Sequence, residues 1–294
     1  MALTITASFT VIEFVGGWLS GSLALMSDAG HMFTDSLALL LSLMAVRIAL
    51  RPASAENTYG YMRTEILAAL ANGTTLIVLC FVILYEAIQR IMDPAPIEGP
   101  LMLVVAIAGF GANAAGIYLL HDRSADSLNV RGAFLHMMGD LLSSAAVIVG
   151  ALLIMFFDFR IADPILSILI AAIIAYGAWK LMRQSVSILL ESTPAHLELE
   201  DVRKGLLGVE SVKEVHDLHI WTLTSGMYAL SAHVVVEDVL VSECAKITEQ
   251  CEQMLKERFS ITHTTIQIEC ETCTEEACVY TAGTNHRVGT KKDS

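Results

Sequence analysis

The chain has 294 residues, 54% hydrophobic and 17% charged, with a mean hydropathy of +0.59 and a formal net charge of −13 at pH 7. So apolar a composition excludes an ordinary soluble globule, and the acidic balance excludes a nucleic-acid partner, whose phosphates need a basic footprint. The charge is uneven: residues 1–190 hold 13 acidic and 9 basic side chains, net −4, whereas 191–294 hold 18 and 9, net −9.

Apolar runs lie near 3–26, 31–50, 66–88, 101–120, 133–157 and 161–190. Each is long enough to cross a hydrocarbon layer of about 30 Å at about 1.5 Å per residue. This predicts a membrane all-α fold over 1–190, a bundle of six transmembrane helices in contact with lipid. The first run has no basic stretch and carries Glu13 and Gly16-Gly17 in its middle, which excludes a cleaved signal peptide. Arg47, Arg51, Arg63, Arg123, Arg131, Lys180 and Arg183 flank one side of the predicted bundle and only Arg90 and Arg160 the other. The bias of basic residues toward the cytoplasm therefore puts both termini there.

After residue 190 the pattern shortens. Leu197–Leu207 suits a helix, Ser211–Leu223 and Met227–Val236 read as strands, Val241–Phe259 is an amphipathic helix, and His263–Glu269 reads as a third strand. The order α-β-β-α-β predicts a small cytoplasmic α+β, ferredoxin-like domain over 191–270, with helices on one face of a sheet. Residues 271–294 read as a flexible tail containing cysteines. A domain of some 80 residues gains from pairing, so a homodimer is expected.

The chemistry sits in the second and fifth runs. AGHMFTD (29–35) and FLHMMGD (134–140) each place a histidine and an aspartate four apart, His31 with Asp35 and His136 with Asp140. On a helix, positions i and i+4 share a face. The two segments run antiparallel in a serpentine chain, which brings both pairs together near mid-bilayer. A lone buried histidine is most often a packing residue. Ionisable groups in a bilayer cost roughly 2.5 kcal/mol or more each, however, and no Lys or Arg lies at depth on these helices to offset two matched pairs. Two imidazoles and two carboxylates suit tetrahedral Zn2+. An imidazole must be neutral to ligate and its reference pKa is about 6.5, so metal binding displaces protons. Glu13, Asn113 and Asp28, one turn before His31, are further polar groups at depth; Asn113 reads as structural, and Glu13 and Asp28 read equally as structural residues or proton relays.

Cys80 lies alone in the third run, whereas Cys244, Cys251, Cys270, Cys273 and Cys278 fall in the cytoplasmic part, where disulfides are rare. Cys270-x-x-Cys273-x4-Cys278 has metal-ligand spacing, although incidental thiols in a tail would look the same.

Together the stretches SGSLALMSDAGHMFTDS (20–36), TYGYMRTEILAA (58–69), SLNVRGAFLHMMGDLLSS (127–144), ADPILSI (162–168), VHDLHIWTLTSG (215–226) and HTTIQIE (263–269) resemble the cation diffusion facilitators, in their bacterial zinc and cadmium exporter branch. The resemblance implies a homodimeric secondary transporter of the bacterial inner membrane. It would export zinc, and cadmium besides, through His31, Asp35, His136 and Asp140 while protons enter. It further implies cytoplasmic Zn2+ binding at His216 and His233, completed by carboxylate, His or thiol ligands of the last strand or tail: His263, Cys270, Cys273 and Cys278 are the candidates. His219, three residues from His216 on a strand, is expected on the opposite face. His196 and His286 are weaker. Many relatives carry a histidine-rich arm before the first helix or after the fourth; here only His121 stands in that loop, and the arm is expected to be missing or trimmed. RPASAENTYGYMRTE (51–65) contains no His or Cys and receives no site.

An enzyme is not expected. No His-Glu-x-x-His motif occurs, and four protein ligands leave zinc no open position for water. The remaining rival is a membrane metal sensor that binds zinc without moving it, which leaves the two intramembrane motifs unexplained.

Overall fold

The computed structural model describes residues 2–121 and 128–270, with side chains described over 9–118 and 138–270. Its elements are α1 (Ala2–Ser20), α2 (Leu23–Ala49), α3 (Thr64–Met92), α4 (Gly99–His121), α5 (Leu128–Phe157), α6 (Ala162–Leu189), α7 (Leu199–Leu207), β1 (Val212–Thr224), β2 (Met227–Val236), α8 (Val241–Phe259) and β3 (Ile261–Glu269). They form two compact units, Met1–Val186 and Ser187–Ser294.

In the first unit, five helices among the described residues are long and apolar enough to cross a membrane: Leu23–Ala49, Thr64–Met92, Gly99–Tyr118, Met138–Phe157 and Ala162–Leu189. The apolar part of α1 within the described residues, Phe9–Ser20, is shorter. Leu25, Leu76, Met102, Val147 and Ile170 form the common core, while Trp18, Phe81, Phe156 and Tyr176 point outward as a lipid-facing surface would. Small residues let helices approach: a Cβ at Gly73 of α3 would stand 3.3 Å from the Ala178 carbonyl of α6.

The expected run 3–26 is broken in two. Hydropathy passes smoothly through Gly21 and Ser22, but the backbone turns there, with Gly21 at φ +71°, a conformation open to glycine. Ser22 caps α2, its Oγ accepting from the Leu25 N–H at 3.2 Å. The cap is held in turn by Asp163 at the start of α6. Its fully buried carboxylate accepts from Ser22 Oγ (2.6 Å), the Leu23 N–H (2.7 Å) and the Ala24 N–H (3.1 Å). Arg90, in the last turn of α3, brings Nη1 to 3.9 Å from Asp163 and donates to the Gly21 carbonyl. The α1–α2 turn, the end of α3 and the start of α6 thus meet at one end of the bundle.

The second unit has the expected α-β-β-α-β order, with boundaries within about two residues of the periodicity reading. β2 is central, antiparallel to β1 and parallel to β3. Val202 and Leu206 of α7 and Ile247, Cys251 and Leu255 of α8 pack with Val215, Ile220, Leu230 and Val234 of the sheet. A ferredoxin-like sheet has a further strand ahead of the first helix; three strands are present among the described residues.

The Asp163 cap generates a prediction. Asp163→Ala removes the charge-assisted hydrogen bonds from Ser22 Oγ and from the Leu23 and Ala24 N–H groups at the start of α2, at a cost of about 2 kcal/mol or more. Asp163→Asn, keeping one acceptor oxygen, should cost less. Thermal unfolding in detergent is expected to rank wild type above Asn above Ala; an unchanged midpoint in Asp163→Ala would show that the cap is not stabilising.

Candidate metal centres

On α2, His31 Nε2 lies 3.5 Å from Asp35 Oδ2, the neighbour relation that i,i+4 spacing provides. Thr34 Oγ1 donates to the His31 carbonyl at 2.7 Å, inside the same turn. Helix α5 packs against α2. Asp140 of α5 and His31 of α2 line one cavity of about 550 Å3, together with Leu76 of α3 and α6 between Leu169 and Ala178. His136 lies on α5 four residues before Asp140, but its side chain is outside the described residues. Asp35, 3.5 Å from His31, does not itself line the cavity.

Asp28 belongs to the same cavity, one turn before His31, and its Oδ1 accepts from Ser143 Oγ of α5 at 2.9 Å. Glu13 of α1 is buried nearby, and Asn113 of α4 is half-buried. Among the described residues no Lys or Arg lines the cavity, whose other walls are almost wholly apolar. A cation entering it meets imidazole nitrogen and carboxylate oxygen, with no protein cation competing for either.

The second centre is built by strand register. His216 of β1 stands directly opposite His233 of β2, their rings edge to face with centroids 5.2 Å apart. β3 lies parallel on the far side of β2 and ends at Glu269, in register with Val235. From there the Glu269 carboxylate spans both imidazoles, Oε2 at 3.2 Å from His216 Nε2 and Oε1 at 3.0 Å from His233 Nδ1. Ligand atoms of the three residues lie within 4.8 Å of one another. Tetrahedral zinc with bonds of 2.0–2.2 Å sets its ligands about 3.4 Å apart, so two nitrogens and an oxygen at this spacing fit it.

Three expectations are modified here. Of the candidate third ligands, His263 is not brought to the pair: it stands opposite Ala229, six residues or about 20 Å along β3 from Glu269. It lines a groove with Glu249 and Glu252 of α8 instead. The strand's own last residue, Glu269, supplies the carboxylate, a ligand type expected without a residue number. His219 is not turned to the opposite face either. Between His216 and His219, β1 takes three steps while β2 takes two, from His233 to Ser231. This bulge, with Asp217 at φ +48°, restores His219 to the His216 face. Asp217 then lies 3.1 Å from His219 Nε2 and 3.8 Å from His233 Nε2. Aspartate tolerates the left-handed region better than most residues, and that was the one signal in HDLH that could have revealed the bulge.

Cys270, beside Glu269, is exposed, and Cys273 and Cys278 lie outside the described residues. His196 packs its ring on Tyr228 at 4.9 Å; His286 lies outside the described residues.

A membrane helical unit with a His/Asp cavity, joined in sequence to an α+β unit with a His/His/Glu centre, defines a membrane protein that handles transition-metal cations. Residues 1–190 match the cation efflux transmembrane domain and residues 194–271 the cation efflux protein cytoplasmic domain. The chain belongs to the cation efflux, or cation diffusion facilitator, family. It is 41% identical to the cadmium, cobalt and zinc/H(+)-K(+) antiporter of Bacillus subtilis, over 90% of this chain and 85% of that protein. It is 41% identical to the zinc transporter ZitB of Pectobacterium atrosepticum, over 97% and 89%. It is 42% identical to the metal cation efflux system protein CzcD of Cupriavidus metallidurans, over 93% and 86%. A solved structure of the metal-bound C-terminal domain of the latter transporter is 44% identical, covering 25% of this chain and 99% of its own, with a TM-score of 0.23.

The cysteines give a test of this unit's packing. Cys251 is fully buried, and burial, reinforced by the adjacent Glu252 carboxylate, pushes its thiol up to about 11. At pH 8 roughly 0.1% of it is thiolate, against about a quarter of an ordinary thiol with a pKa of about 8.5. Alkylation at pH 8 followed by peptide mass spectrometry should therefore label Cys270 and spare Cys251, whose labelling rises only as pH approaches 11. Equal labelling of the two at pH 8 would show that α8 does not pack as described.

Proposed function

We propose that the protein is a secondary active transporter that exports zinc, and cadmium besides, from the cytoplasm in exchange for protons, working as a homodimer with six membrane spans and both termini cytoplasmic. The observation that carries this reading is the shared cavity of His31 and Asp140, on two different helices, inside a unit otherwise built of lipid-compatible helices. The names of the relatives, a zinc transporter and a cadmium, cobalt and zinc antiporter, supply the class of cargo.

Metal is the substrate. His31, Asp35, Asp140 and His136 are its ligands: the imidazoles favour zinc and cadmium over magnesium and manganese, which prefer all-oxygen octahedral shells. Proton exchange follows from the same groups, because imidazole and carboxylate bind either metal or proton. Asp35, whose Oδ2 stands 3.5 Å from His31 Nε2, is placed to share one metal ion with that ring. His216, His233 and Glu269 hold zinc in the cytoplasmic domain, with Cys270, Cys273 and Cys278 as ligands from the tail. This metal acts on the pairing of two domains rather than as cargo.

Two measurements test the reading. Asp35→Ala and Asp140→Ala each remove a ligand without adding buried charge, so zinc flux into proteoliposomes should fall at least about tenfold while the protein stays folded. Near-normal flux in either variant would remove that residue from the site. In the second, labels on the paired cytoplasmic domains should move closer on adding zinc, because each carries a net −9 and a bound divalent cation offsets their repulsion. Unchanged distances at saturating zinc would leave the cytoplasmic centre with no part in domain pairing.

A further inference from the structure

Glu13 has no role in the site described above. It lies in α1, 1% exposed. Space for it is made by a missing side chain: a Cβ at Gly109 of α4 would stand 2.6 Å from Glu13 Oε1 and 3.4 Å from Ser144 Oγ. Those two oxygens therefore lie within 6.0 Å of each other, on either side of a glycine notch. Among the described residues neither Glu13 Oε2 nor Ser144 Oγ has a hydrogen-bond partner. The charged groups that act on Glu13 are Asp28 of α2 and Asp140 of α5, both acidic; α4 presents no charged side chain in its described part, and α1 carries no other.

A carboxylate with neither donor nor counter-ion is costly at membrane depth. Asp28 is different, since Ser143 donates to it. Glu13 can keep its charge only while a cation stands within electrostatic reach, and the cavity bounded by Asp28 and Asp140 is where such a cation would be.

We propose that Glu13 is a proton-binding residue of the exchange. It is protonated while the cavity is empty of metal, releases that proton as a divalent cation binds between α2 and α5, and takes one up again when the cation leaves. The charge balances: two positive charges enter the cavity, one is offset by the proton leaving Glu13 and the rest by protons leaving the ligands themselves. Glu13 touches no ligand to do this. It acts through the field, and the glycine notch lets its side chain reorganise. The proposal rests on the proton-exchange reading of the transporter.

The test uses the full-length protein in detergent and in proteoliposomes, with zinc alone as the probe. Proton release on zinc binding is read in a weakly buffered solution with a pH dye, and zinc affinity is measured across pH 6–8. Glu13→Gln is isosteric and cannot titrate: it should still bind zinc but release up to one proton fewer per zinc, with the slope of log Kd against pH reduced by up to one. Glu13→Asp keeps an ionisable group and should restore the release. Wild-type proton release and slope in Glu13→Gln would overturn the proposal. So would an equal loss in Glu13→Gln and Glu13→Asp, because packing and not titration would then be responsible. If wild type itself releases no proton and carries zinc without regard to pH, the exchange reading fails, and the role given to Glu13 fails with it.

Discussion

The membrane unit is organised by the Asp163 carboxylate on the first turn of α2. A helix start presents N–H groups with no intrahelical acceptor and a partial positive charge. Here the donors of Leu23 and Ala24 find Asp163, and that of Leu25 finds Ser22 Oγ, which Asp163 also holds. Because a helix is stiff over a few turns, fixing its first turn fixes His31, eight residues or about 12 Å further along. Arg90 supplies the counter-charge and ties the same point to α3 and the Gly21 turn. A buried carboxylate with three donors and a nearby guanidinium is a finished arrangement, and nothing in it needs an outside ligand.

The carboxylates deeper in the bundle are arranged differently. Asp28 and Asp140 line a cavity with no Lys or Arg on its walls among the described residues, and Glu13 lies within reach of both. Several acidic groups crowded in a low-dielectric region cannot all ionise together. Protons or a cation must be present, and which of the two depends on what the cytoplasm and the far side offer. On the proposed function, exchange would follow from leaving this region short of positive charge, while Asp163 has both donors and a nearby guanidinium. One helix, α2, carries both conditions eight residues apart.

Much of this was legible in the sequence. Period 3.6 and period 2 placed the elements of the second unit to within about two residues, and the His-x-x-x-Asp spacing picked out the two helices that share the cavity. Three things were not legible. Asp163 reads as one acid beside a proline, and only the folded chain shows that it meets a helix start 140 residues away. The Gly21 turn disappears in a hydropathy window because glycine and serine barely lower it. Which residue of β3 stands beside His216 and His233 depends on register. His263 and Glu269 lie on one short strand, and choosing between them requires knowing which end of β3 lies beside His233. The bulge at Asp217 inverted the expected side of His219 for the same reason: alternation is counted in paired positions, and one inserted residue shifts the count.

The two centres use the same donor chemistry on different mechanical supports. His216 and His233 face each other across an antiparallel ladder, and Glu269 ends the neighbouring strand. Backbone hydrogen bonds hold that spacing, so the three side chains are set in advance, and a metal bound there would be suited to stay. His31 and Asp140 stand on separate helices that meet across a cavity, where no backbone bond fixes their separation. In a membrane, helix contacts rest on packing of small and apolar residues, which permits sliding and tilting without breaking hydrogen bonds. Moving α5 relative to an α2 anchored at Asp163 would change ligand spacing by an ångström or more, enough to dismantle a coordination shell whose bonds are about 2 Å long. On the proposed function, an α2 anchored at Asp163 and an α5 joined to it by side-chain packing alone would let imidazole and carboxylate release a metal that the same groups on a sheet would retain.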